Sequence, residues 1–364
     1  MKTVFLYSTT HSRVYGWTPS STTYHWRRPD PRLTPVTPDT PDALPPRSER
    51  PGPGSGVPQP QVAILLCTYQ AQRFLADQLQ SIQAQTWPSW TVWVSDDGST
   101  DQTMDLLRHH QAQWGAGRLH LRHGPCRGST ANFLSLACLP EVQADCFAFC
   151  DQDDLWHPDK LERALRWLAT VPAGQPAIYC SRTVLVDERN QTIGHSHLFE
   201  RPPGFRNALV QSVAGGNTMV FNHAARELLQ MAGPQVEAIT HDWWAYMLVT
   251  GSGGQVHYDP LPTVRYRQHG QNQFGSNVSL KEQFLRVQQL LHGRYRTWIS
   301  ANLKALLRMR HRFTPEHQLV LDGVIRARSR WVGARLVGLY RCGLYRQSRL
   351  GQCGLWVAAL LNRF

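Results

Sequence analysis

The 364-residue sequence predicts an α/β fold: an open, mostly parallel twisted sheet with flanking helices, followed by a basic helical C-terminal region. Three observations predict it. Short apolar runs alternate with segments of helical periodicity from residue 62 to about residue 170, the pattern of successive βαβ units. Acidic clusters stand directly behind two of those runs, at the strand ends where open α/β sheets bind ligands. Basic residues collect in the last part of the chain, which reads as helical.

Val62-Ala63-Ile64-Leu65-Leu66-Cys67 is continuously apolar, as a strand buried on both faces must be. Leu75, Leu79 and Ile82 lie at helical spacing within residues 74–85. Trp90-Thr91-Val92-Trp93-Val94 reads as the second strand and closes a right-handed parallel unit. A helix over about 101–111, a short strand at Leu119-His120-Leu121, a helix around 130–138 and a strand over 146–150 come next. Pro158 suits the first turn of a helix with Leu161, Leu165 and Leu168 on one face. From about 177 to 280 the pattern is mixed short strands and Gly/Asn-rich loops, and 281–364 is helical without sustained heptads.

This divides the chain into an arm over 1–60, a catalytic domain over 61–280 and a basic extension over 281–364. The arm is rich in Pro, Arg, Ser and Thr. Such a composition buries too little surface to order itself, and a start codon placed too early is the other reading. The net charge of +12 invites a nucleic-acid reading, but residues 61–280 carry 15 basic and 19 acidic side chains. Residues 281–364 carry 16 basic and 3 acidic. A phosphate backbone would be repelled by the acidic half, so no nucleic-acid partner is expected. The eight cysteines form no CxxC pair, so neither disulfides nor zinc are expected. With no apolar h-region and no run of about eighteen apolar residues, the expected compartment is the cytoplasm, with the inner face of the membrane as a peripheral alternative.

Cys150-Asp151-Gln152-Asp153-Asp154 places three carboxylates in four positions behind an apolar strand. Desolvated like charges repel unless a cation sits among them, which marks a divalent-metal and diphosphate corner. Asp154 reads either as a third member or as the cap of the next helix. Asp96-Asp97-Gly98-Ser99 reads as a ligand-binding edge or a plain capping turn. Asp242-Trp243-Trp244 reads as a general base beside aromatic walls, or as a helix N-cap with core tryptophans. The Gly215-Gly216-Asn217 segment reads as a close backbone approach or a bare turn.

Taken in order, Cys67-Thr68-Tyr69-Gln70, Ser95-Asp96-Asp97-Gly98-Ser99-Thr100-Asp101 and Gly128 with Asn132-Phe133 begin a recognisable series. It continues through Cys150-Asp151-Gln152-Asp153-Asp154-Leu155-Trp156, Gly215-Gly216-Asn217-Thr218, His241-Asp242-Trp243-Trp244 and Tyr266-Arg267-Gln268-His269-Gly270. Over residues 61–280 the chain resembles the inverting family 2 glycosyltransferases of the GT-A fold, and among them the rhamnosyltransferase-like members. The resemblance implies that Asp151 and Asp153 are the DXD pair, with Asp153 on a divalent cation (Mg²⁺ or Mn²⁺) and Asp151 on the ribose or the metal. It implies that Asp97, with Asp96 beside it, recognises the nucleotide base, with Tyr69 on the ring and Thr68 lining it. Gln70 stands where the family has Asn. Asp242 is the implied general base, with Trp243 and Trp244 raising its pKa and offering flat surfaces to sugar rings. Gly216 and Asn217 approach the donor. His269 contacts the metal or diphosphate, and 270–277 forms a lid.

The same resemblance implies transfer of a sugar, rhamnose from dTDP-rhamnose, to a saccharide or lipid-linked acceptor in cell-surface polysaccharide synthesis, such as O-antigen or capsule. The arginines interleaved with aromatics near Trp331 and Tyr340 read as a membrane-surface stretch or as helices packed on the catalytic domain. Two rival readings are a sugar-phosphate nucleotidyltransferase and a GT-A-fold binding protein that has lost catalysis.

Overall fold

The structure, a computed structural model, describes residues 59–270 and 294–364. The arm over 1–58 and the lid segment 271–277 lie outside the described residues.

A nine-stranded sheet runs in the order β3-β2-β1-β4-β8-β6-β9-β5, with β7 beside β6. Its first half is β1 (Val62–Thr68), β2 (Trp90–Asp96), β3 (Leu119–His123) and β4 (Cys146–Cys150), all parallel. The second half is mixed. β8 (Val220–Asn222) runs antiparallel to both β4 and β6 (Ala177–Val186), and β6 is parallel to β9 (Gln255–Arg267). The six longer strands therefore share one direction, and only β8, β5 (Leu155–Trp156) and β7 (Thr192–His195) oppose it. This second half is less fragmented than its sequence reads, because β6 and β9 are the longest strands of the sheet. Pro260 and Pro262 disguise β9. A register shift between Ser181 and Thr183 of β6 absorbs them, as a bulge absorbs residues that cannot donate to the ladder.

Period-two alternation along β1 builds the two cores. Val62, Ile64 and Leu66 face one side, with Leu75, Leu79 and Ile82 of α1 (Leu75–Gln83), Leu107 of α2 (Thr103–Trp114) and Leu161 and Leu165 of α4 (Lys160–Leu168). Ala63, Leu65 and Cys67 face the other, where α3 (Ser129–Ala137), α5 (Phe205–Ala208), α6 (His223–Ala232) and α7 (His241–Gly251) contribute. That second core continues without interruption into α8 (Arg294–Met309), α9 (Pro315–Arg328), α10 (Val332–Arg341) and α11 (Arg349–Leu360) through Leu303, Leu306, Leu321, Leu339 and Leu355. Arg206 of α5 donates to the Cys342 carbonyl, and Arg346 to the Val210 carbonyl. Among the described residues no helix is long and apolar enough to cross a membrane.

The parallel register aligns the strand ends that matter. Thr68 pairs with Asp96, and Leu66 with Cys150. The segments beginning at Tyr69, Asp97 and Asp151 thus leave the sheet side by side at its carboxyl edge.

Candidate active site at the carboxyl edge of the sheet

The first corner lies between β1 and β2. Asp96 is buried, and its carboxylate accepts from Thr68 Oγ1 at 2.8 Å, Ser99 Oγ at 2.6 Å and Ser99 N at 2.8 Å. Thr68 and Asp96 therefore shape the corner from inside. Asp97 is half-buried at its surface, with one oxygen accepting from the Cys126 amide at 2.7 Å and the other from the Gly128 amide at 2.8 Å. Each oxygen keeps a lone pair. Tyr69 stands 57% exposed, its backbone held at both ends by Gln152, which accepts from Tyr69 N at 2.7 Å and donates to Tyr69 O at 3.0 Å. Gln70 has φ +51°, a left-handed conformation that Asn adopts more readily than Gln.

The second corner lies just beyond β4. Asp153 and His269 meet at 2.7 Å, His269 packing its ring against Phe74. Burial pushes the Asp151 carboxyl up to about 7, and the charges of Asp153 and Asp242 push the same way while Lys160 opposes them. Asp154 turns inward. It is fully buried, accepts from Asn217 Nδ2 at 2.5 Å and from the Arg267 amide at 3.0 Å, and is held well above the usual carboxylate range by burial first and by Asp153 and Asp151 next. With both oxygens occupied away from solvent it is a brace. It does not cap α4, which is entered at Asp159.

Opposite them lies α7, in which every residue except Asp242 is buried. Asp242 accepts from the Trp243 amide at 2.6 Å and, across the loop, from the Gly216 amide at 3.2 Å. Gly216 opens a 3-10 turn (Gly216–Thr218). A Cβ there would collide with His241 Nε2, so glycine is required by the His241 ring. The Asn217 side chain likewise points to Asp154. Trp243 and Trp244 are core residues, the former donating to the Ala208 carbonyl at 2.6 Å. They form no wall around Asp242 and no platform for a sugar, because the turn of α7 that exposes Asp242 directs the next two side chains inward. His241 stacks on Phe133 at 3.9 Å, and burial lowers its pKa to about 4.

The family model described as "Glycosyl transferase family 2" matches residues 63–229, a span that runs from β1 into α6 and holds Asp96, Asp97, Asp151 and Asp153 but neither Asp242 nor His269. Residues 63–229 are a family 2 glycosyltransferase domain. One similar protein is the dTDP-rhamnosyl transferase RfbG of Shigella flexneri, 26% identical over 251 residues, 66% of this chain and 84% of that protein. Another is the UDP-Glc:alpha-D-GlcNAc-diphosphoundecaprenol beta-1,3-glucosyltransferase WfgD of Escherichia coli, 29% identical over 101 residues, 28% of this chain and 38% of that one. The solved structure of S. aureus TarS 1-349 in complex with UDP-GlcNAc aligns with a TM-score of 0.48 at 14% identity, over 83% of this chain and 89% of that one. The sheet is open and mixed, with flanking helices and C-terminal helices beside it, and the match to a glycosyl transferase family sets the nucleotidyltransferase reading aside.

Two residues of the glycosyltransferase were missed in the sequence. Lys160 is fully buried, donates to the Asn217 carbonyl at 2.6 Å and lies 3.5 Å from the Trp156 ring centroid. Burial lowers its pKa to about 7 against the pull of Cys150, Asp154 and Asp151. Its signal was legible, since it precedes Ala164 by four residues on the apolar face of α4. Arg267, almost wholly buried, donates to the Asp153 carbonyl at 3.0 Å, to Asp77 at 2.9 Å and to the Glu188 carbonyl at 3.1 Å, tying α1 and β9 to the carboxylate turn.

Among the described residues no group of three or more His, Cys, Asp or Glu is already gathered as a metal site. The donor set nonetheless fits a hard divalent cation. Asp151 and Asp153 supply oxygens beside the His269 imidazole.

Proposed function

We propose that this glycosyltransferase inverts the anomeric centre of a nucleotide-diphosphate sugar, dTDP-rhamnose, in one displacement. The observation that carries the reading is that Asp151 and Asp153 stand just beyond β4, with Asp153 2.7 Å from His269, while Asp242 of α7 accepts from the Gly216 amide at 3.2 Å in the turn whose Asn217 holds Asp154. Asp242, the one carboxylate presented by α7, takes the proton of the acceptor hydroxyl. The acceptor oxygen bonds to the anomeric carbon from one side as the bond to the diphosphate breaks on the other, so the electron pair leaves with the diphosphate. Asp153 and Asp151, with His269 beside them, would hold a divalent cation, Mg²⁺ or Mn²⁺, which stabilises charge on a departing diphosphate when bound. Asp97 is the base-reading carboxylate, with Tyr69 presented to the ring. Thr68, Asp96, Gly216 and Asn217 act from behind, by holding the two loops in place.

Rhamnose is favoured by the likeness to RfbG, which covers most of that protein. The acceptor is a saccharide or lipid-linked saccharide of a cell-surface polysaccharide. We assign the transferase domain to 61–280 and the extension to 281–364, with the arm over 1–60. The protein is placed in the cytoplasm, peripheral on the inner face of the membrane through its basic extension. The test is Asp242→Asn. Turnover of dTDP-rhamnose should fall by about 10²- to 10⁴-fold, with dTDP affinity unchanged. Unchanged turnover would remove Asp242 from the mechanism, and absence of turnover in the wild type would favour the binding protein.

A further inference from the structure

A groove of about 630 Å³ runs between α9 and α10. Its floor is small because the helices close on one another there: a Cβ on Gly338 would stand 2.8 Å from Ala327 Cβ, and one on Gly323 2.9 Å from Cys342 Sγ. Arg326, Arg330 and Arg341 line it and are exposed, and no described hydrogen bond or ion pair engages their guanidinium groups. The acidic residue in the lining, Glu316, is already paired with Arg206 at 2.8 Å. Asp322, which feels Arg326, is held by Arg310 at 2.6 Å. Leu319 and Val337 on the rim are 68% and 51% exposed. Tyr340, one helical turn from Val337, is 75% exposed, and Trp331 at the start of α10 is 72% exposed.

Exposed arginines above an apolar floor suit an occupant that is both anionic and apolar. The undescribed stretches of the chain do not offer it. Residues 1–58 carry 7 basic and 4 acidic side chains, and 271–293 carry 2 basic and 1 acidic. A second copy would bring the same arginines. We propose that this groove docks the protein on an anionic phospholipid bilayer. The three arginines bind lipid phosphates there, and Leu319, Val337, Tyr340 and Trp331 enter the interfacial layer. The proposal rests on the peripheral membrane reading above and names its surface.

The test is flotation of the full chain with vesicles of phosphatidylcholine alone or mixed with phosphatidylglycerol. Wild type should float with the anionic vesicles only. The triple variant Arg326→Glu, Arg330→Glu, Arg341→Glu should bind them about a hundredfold more weakly or less, while dTDP raises its Tm as in wild type. Arg326→Gln, Arg330→Gln, Arg341→Gln serves should the reversal variant not fold. A control with equal charge change, Arg108→Glu, Arg122→Glu, Arg166→Glu, should keep binding. Equal loss in the control would overturn the groove in favour of bulk charge. Retained binding in both groove variants would overturn the groove and leave the membrane reading standing. No flotation of the wild type would sink both.

Discussion

At the scale of the residue, the site is built from carboxylates sorted by direction. Asp96 and Asp154 are buried, whereas Asp97, Asp151, Asp153 and Asp242 remain half-buried at the edge. The sequence showed all six and could not sort them. Neighbours in a chain leave a strand end in opposite directions, and which one finds Thr68 or Asn217 is settled by residues far away. His241 shows the same limit, since nothing beside it in the sequence announces that it is a buried, stacked ring in the fold. Its Nε2 makes no hydrogen bond among the described residues. Its folded pKa of about 4 lies below the ordinary 6.5, so the unfolded chain binds a proton that the folded chain refuses. The stability it lends is complete above pH 6.5 and is lost as pH falls toward 4, by about 3 kcal/mol. The loss of Tm between pH 7 and pH 5 should therefore shrink in His241→Asn. An equal loss in wild type and variant would show that other groups set the acid limit.

At the scale of the element, α4 joins stability to the site. Leu161, Ala164, Leu165 and Leu168 bury one face, and Lys160 starts that same face. Its ammonium holds the Asn217 carbonyl while the Asn217 amide holds Asp154. The adjoining Gly216 amide reaches Asp242. One helix start is thus linked through a single turn to the carboxylates beyond β4 and to Asp242 of α7. Lys160→Met keeps the volume but leaves buried acids without their counter-charge, and should cost about 3–5 kcal/mol. Chemical denaturation reads this directly, and a loss below about 1 kcal/mol would mean that the network is not coupled to folding. The β1-α1-β2 unit was legible because burial on both faces leaves an unbroken apolar run. The nature of α7 was less so. Buried on almost all sides, it carries no polar stripe to announce which of its side chains faces a ligand.

At the scale of the whole molecule, the basic extension was legible as helical and charged, but not as core. Leu303, Leu306, Leu321 and Leu355 join the same cluster as Phe149 of β4 and Trp244 of α7, contacts that no local pattern encodes. The packed reading of its arginines finds a place. Arg335 and Arg346 pin the helices by their carbonyl contacts, while Arg326, Arg330 and Arg341 face outward. A chain ending at residue 280 would expose that apolar surface and is expected to be insoluble or aggregated on size exclusion. A monomeric, cooperatively folded product would show the extension to be dispensable.

The central claim is a donor site at the carboxyl edge whose charge is balanced by a divalent cation on Asp151 and Asp153. Its most direct test is the Tm of the purified protein with dTDP or dTDP-rhamnose, with and without Mn²⁺, compared with Asp153→Ala. Ligands that bind only the folded chain must raise Tm. The account predicts a rise that requires Mn²⁺ in the wild type and is lost in Asp153→Ala. A rise of equal size without metal, or one retained in the variant, would contradict it.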